Sequence, residues 1–199
     1  MQVPEAALEQ LAEQLRHQDT VISSHVVEPS ERPVLGPLAA AGPRAAGAPV
    51  EYSLVVESIR EGYELHYGTP RILDGQDQNL ALLAGDYLYA LGLERLAALG
   101  DGEAVAELSD LISLSAACHS DGSEQVVPAL WLAAAVAVGC GGSEAHAEAK
   151  AAAASARAGA AEALLESARQ TAANESLEVD LDRVAEAIHF PVARPADSG

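Results

Sequence analysis

The chain has 199 residues, with 30 acidic side chains against 11 basic and a formal charge of −19. That balance excludes nucleic acid, whose phosphates need a basic surface, and argues against docking on anionic lipid headgroups. It suits either a soluble Ala-rich surface or a basic partner protein.

Hydrophobic residues make up 49% of the chain but aromatics only 4%. Alanine packs helices closely and contributes little buried area per residue, so a helical core is favoured over a strand-rich one. Cys118 and Cys140 form no Cys-x-x-Cys pair and no metal spacing, and read as buried or half-buried thiols of a reducing compartment. The first twenty residues carry Glu5, Glu9, Glu13 and Asp19, unlike a basic start followed by an apolar core. The most apolar run, Val126 to Cys140, is short for a bilayer span. The expected location is the cytoplasm.

In chain order, Ala7, Leu8, Leu11 and Leu15 give residues 4–17 a helical period. Residues 26–33 hold two prolines and read as a loop, and 35–46 as a short helix and turn. Residues 52–65 read as a helix, 71–77 as a polar loop. The clearest helix runs from Asn79 to about Leu99, with Leu80, Leu83, Tyr87, Leu91 and Leu93 as its apolar face. Gly100 ends it. Further helices are expected over 103–118, with Val105, Leu108, Leu111, Ile112 and Leu114 inward, and over 124–140, apolar nearly all round and therefore central. Ser143 is an N-cap candidate for one long Ala-rich helix over 145–173. A short helix at 180–190 and a frayed tail at 191–199 close the chain. One helical domain over 1–190 accounts for all of this.

One stretch is specific. Gly68-Thr69-Pro70 is followed by Leu83-Ala84-Gly85-Asp86-Tyr87-Leu88. This resembles, without a gap, the middle of the polyprenyl (isoprenoid) diphosphate synthases, in which a Gly-x-Pro loop precedes a helix opening in Leu-x-Gly-Asp. The likeness is densest from about Ser53 to Leu114, and a family-like core spans about 50–142. It implies an all-α, isoprenoid-synthase-like helical bundle, here shortened.

The resemblance also implies a chemistry. Family members ionise an allylic diphosphate with Mg²⁺ held by two Asp-rich motifs, because the leaving diphosphate must be neutralised. The first motif falls on Glu57-Ser58-Ile59-Arg60-Glu61. Two carboxylates survive, one helical turn apart and on one face. Glu57 and Glu61 are thus either a solvated acidic face or ligands for a single Mg²⁺. The family's Arg-Arg before the glycine is His66-Tyr67 here, so a guanidinium clamp on diphosphate is lost. Arg71 either stands in for it or is a surface arginine. The Lys that would touch diphosphate from a later helix is Val126. The second motif falls on residues 159–167, which contain no Asp; Glu162 and Glu166 stand one turn apart there. The six histidines are scattered, and no hydrolase elbow, phosphate-cradling Gly-rich loop or dinucleotide fingerprint is present.

The expected function is therefore a degenerate, non-catalytic member: an accessory or structural subunit, with no cofactor, pairing with itself or with a full-length synthase. Family members are commonly dimers, and some are heteromers with a catalytically weak small subunit. The helix Gly85 to Leu99 and its neighbour are the expected interface. Two alternatives stand beside this. One is a Mg²⁺-dependent enzyme of reduced scope that binds an isoprenoid diphosphate through Glu57, Glu61 and Arg71. The other is a scaffold subunit of an unrelated complex.

Overall fold

The computed structural model describes residues 3–74 and 77–189. Among them are nine α-helices: α1 (Ala7–His17), α2 (Leu35–Ala41), α3 (Pro49–Tyr67), α4 (Gln78–Leu99), α5 (Gly102–Asp121), α6 (Val127–Cys140), α7 (Glu144–Ala154), α8 (Ala160–Asn174) and α9 (Glu178–Ala187). Short 3₁₀ turns precede or link several of them. No strand occurs among the described residues, only one antiparallel bridge between Val26 and Leu73. The molecule is an all-α helical bundle. No described helix is long and apolar enough to cross a membrane. The tail expected at 191–199 lies outside the described residues.

Local chemistry sets most helix ends. Pro49 opens α3, where its missing N–H costs nothing. Asp77 caps α4 by accepting from the N–H groups of Asn79 and Leu80, Asp101 caps α5 through Ala104, and Ser143 caps α7 through His146, as its sequence position suggests. Gly100 and Gly122 close α4 and α5 in the left-handed region that glycine reaches without strain.

Two hydrophobic cores result. The larger surrounds α6, buried over almost its whole length, with α2, α5 and α8 packed on it. The smaller joins α1 and α4 to Ile72 and Leu73. Helix α3 is the wall between them: Val55, Val56 and Ile59 face the first core, Leu54 and Leu65 the second. A helix covered on both sides buries its polar positions too, and Ser53, Glu57, Ser58 and Glu61 are all buried.

Two expectations need correction. Residues 145–173 are not one helix. They break at Ser155–Gly159, where Ala156 and Gly159 take positive φ, and α8 turns back to pack on α7 and α6. Alanine's helix propensity is a weak prior, and burial of Leu164 and Leu165 on α6 overrides it. The face of α4 is shifted. Leu80, Tyr87, Leu91 and Leu93 pack at the margins of the cores, Ala81, Ala84, Gly85, Leu88, Gly92 and Leu96 form the buried centre, and Leu83 is 68% exposed. Glycine stands where α3 comes closest. A Cβ on Gly62 would sit 2.9 Å from the carbonyl oxygen of Gly85 and 2.8 Å from the ring of Tyr89.

That approach reverses an ordinary rule. Gly→Ala inside a helix usually gains about 0.5–1 kcal/mol. Gly62→Ala is expected instead to lose about 1–3 kcal/mol through overpacking, read as a lower urea midpoint with an unchanged m-value. A gain would show that α3 and α4 are not in contact there.

Candidate functional site: a buried Glu–Arg–Glu cluster

Glu57 and Glu61 share one face of α3, as their spacing requires. That face is covered by the segment following α3, which turns at Gly68-Thr69-Pro70 and runs back along the helix. Ile72 and Leu73 pin the segment by burying in the smaller core. Its backbone also pairs with the loop after α1: Val27 donates to Ile72 O at 2.9 Å, Ser30 to Arg71 O at 3.0 Å, and Asp74 to His25 O at 2.8 Å. Arg71 is thereby turned inward and is only 7% exposed.

The guanidinium joins both carboxylates. Arg71 Nη1 donates to Glu57 Oε2 at 2.7 Å and Nε to Glu61 Oε2 at 3.1 Å. The other two oxygens are taken by backbone. Glu57 Oε1 accepts from Gly36 N at 2.7 Å, and Glu61 Oε1 accepts from Arg71 N at 2.7 Å and Ile72 N at 2.9 Å. Gly36 is required here, since a Cβ on it would lie 2.6 Å from the carbonyl oxygen of Ser53 and 2.8 Å from Glu57 Cγ. All four carboxylate oxygens are occupied, and both side chains are 0% exposed.

Neither the solvated acidic face nor the surface arginine therefore exists. Arg71 and the two glutamates are brought together, but on one another. Ser58, between them, donates to Leu88 O on α4 at 3.0 Å. His66 stacks on Tyr89 at 5.3 Å with its Nε2 3.3 Å from the Asp86 carboxylate, and Tyr67 stacks on His119 at 4.1 Å. Val126 packs against the larger core. Glu162 and Glu166 are exposed on α8, away from the buried pair on α3. Among the described residues no group of three or more His, Cys, Asp or Glu side chains is arranged to hold a metal ion.

Burial dominates the cluster's electrostatics. It pushes the Glu61 carboxyl above the usual carboxylate range, against the opposing pull of Arg71 and the backbone N–H groups. For Arg71, burial works to lower the pKa, but Glu57 and Glu61 together outweigh it and the net shift is upward. One cation thus faces two anionic partners.

Sequence spacing gave no hint of two further polar links. Glu107 accepts from Lys150 at 2.5 Å and lies 2.7 Å from His146 Nε2, tying α5 to α7. Burial works to raise the Glu107 pKa, but these contacts overcome it and the net shift is downward. Asp101 accepts from Tyr52 and Arg44, fastening α5 to α3 and the turn before it. Such pairs lie 43 to 57 residues apart for Lys150–Glu107 and Arg44–Asp101, and only the fold reveals them.

No protein-family model, no curated protein and no solved structure matches this chain.

Two outcomes are expected. Arg71→Met leaves two carboxylates buried without a cation and should cost about 3–5 kcal/mol in urea unfolding; a surface arginine would cost under about 0.5 kcal/mol. Glu61 makes stability pH-dependent with a definite sign. Its native pKa lies above the unfolded value, so the native state binds the extra proton and stability falls as pH rises through that window. The stability of the wild-type chain relative to Glu61→Gln should increase as pH drops from neutral towards the unfolded carboxylate value. A decrease would mean that Glu61 is held ionised.

Proposed function

We infer that this chain is a non-catalytic, polyprenyl-synthase-like protein, an accessory or structural subunit whose partner is a full-length prenyl synthase. The observation that carries the reading is the fate of Glu57 and Glu61. Prenyl transfer needs carboxylate oxygens free to bind Mg²⁺ in near-octahedral geometry. Here every oxygen of the pair already accepts a hydrogen bond from Arg71 or from backbone. Liberating them means breaking a buried ion cluster before any metal is gained. Arg71, which the resemblance offers in place of the lost diphosphate clamp, is committed to the same cluster.

The accessory role draws on the outer face of α4. Leu82 and Leu83 are 45% and 68% exposed on the helix that carries the Leu-Ala-Gly-Asp segment. Large aliphatic side chains in adjacent exposed positions suit a protein contact. The charge of −19 disfavours self-association and favours a less acidic partner.

A tagged chain recovered from its native host at moderate salt, with partners identified by mass spectrometry, is expected to bring down a full-length prenyl synthase. Leu83→Glu should lower that recovery by about tenfold or more. The purified chain alone, given Mg²⁺, an allylic diphosphate and isopentenyl diphosphate, should release no diphosphate. Turnover by the lone chain, or recovery of a complex with no isoprenoid enzyme, overturns the reading.

A further inference from the structure

A cavity of about 540 Å³ opens between the end of α3, the loop before α2 and the end of α9. Its size is within the range of small-molecule sites, roughly 300–1,000 Å³. Three of the chain's eleven basic side chains line it: Arg32, Arg60 and Arg71. In so acidic a protein that convergence stands out, because most other cations are each tied to a carboxylate elsewhere.

The three arginines are not equivalent. Arg71 is spent on Glu57 and Glu61. Arg60 has one carboxylate partner, Glu64 at 2.5 Å, and lies over the rings of Tyr63 and Trp131 at 5.0 and 4.9 Å. Glu64 is itself shared, since it also accepts from Thr69 N at 3.1 Å. Burial holds Arg60 below the usual guanidinium value; Glu64 opposes this, and Arg71 behind it adds to it. Arg32 is exposed and has no carboxylate partner among the described residues. Two guanidinium groups with unused donors thus open on one cavity, beside the partly exposed apolar side chains of Val34 and Ile188.

We propose that this cavity binds a small amphipathic monocarboxylate, its head on Arg32 and Arg60 and its apolar body on Val34 and Ile188. A planar carboxylate matches the fork of a guanidinium. A single charge is what the lining accepts: Glu31 and Glu64 stand on the same cavity and repel a more highly charged anion such as a phosphate dianion. The site is independent of the accessory-subunit reading, because it uses neither the outer face of α4 nor any metal.

The only tryptophan of the chain reports on it. Trp131 is buried under Arg60, so displacing or neutralising that guanidinium changes its emission. Titration of the whole chain with octanoate should give a saturable fluorescence change, matched by calorimetry, with Kd below about 1 mM. Acetate, which lacks the apolar body, should bind at least about tenfold more weakly, as should inorganic diphosphate. Arg32→Gln, at an exposed position, should fold normally and weaken octanoate by about tenfold or more, the loss of one charge-assisted contact. Absence of saturable binding by both methods overturns the proposal. So does unchanged affinity in Arg32→Gln, which would make binding merely hydrophobic, or diphosphate binding tighter than octanoate.

Discussion

The burial of Glu57, Glu61 and Arg71 beneath one short segment is the constraint on which the rest of the structure hangs. Helix α3 separates two cores and has no solvent side over most of its length. Two carboxylates on such a helix must be satisfied from inside. Gly36 at the start of α2, the backbone of Arg71 and Ile72, and the Arg71 guanidinium supply every bond. The cluster therefore fixes three things at once: where α2 meets α3, how the segment after α3 folds back, and through that segment's backbone pairing, where the loop after α1 lies. A buried ion cluster contributes little net stability compared with apolar side chains of the same volume, yet breaking it is costly. Its effect here is on geometry.

The same close packing decides what faces outward. Small residues on α4 let α3 approach until a glycine Cβ would collide with the opposite backbone. Leu88 and Leu96 reach the cores on either side of that contact, while Leu82 and Leu83 lie on the surface. Two carboxylates are thus sealed inside, and two leucines of α4 are presented to solvent.

Much of this architecture was legible in the sequence. The caps at Ser143 and Gly100, the all-round apolar run of α6 and the helical spacing of Glu57 and Glu61 depend on local chemistry, and local chemistry is written in neighbouring residues. The orientation of Arg71 was not legible, because it depends on Ile72 and Leu73 finding a core built by α1 and α4. A polar arginine in a loop carries no mark of that. The outward turn of Leu83 was missed for a related reason. Hydrophobicity alone favours leucine inside, but the closest approach of α3 and α4, at Gly62 and Gly85, leaves no room for a side chain. The break at Ser155–Gly159 lies in an alanine tract where each residue favours helix equally, so only the packing of α8 on α6 chooses the point of reversal. The cavity arginines, Arg32 and Arg60, meet through the fold and have no shared motif.

Glu57 and Arg71 are joined inside the protein, and a double-mutant cycle measures that link directly. Urea unfolding of the wild-type chain, Glu57→Gln, Arg71→Met and the double variant gives the coupling energy between the two side chains. A buried, hydrogen-bonded pair predicts strong non-additivity, with a coupling of about 1–3 kcal/mol, the double variant losing much less than the sum of the single losses. Additivity to within about 0.3–0.5 kcal/mol would mean that the two side chains do not touch and that Arg71 does not close the site over Glu57.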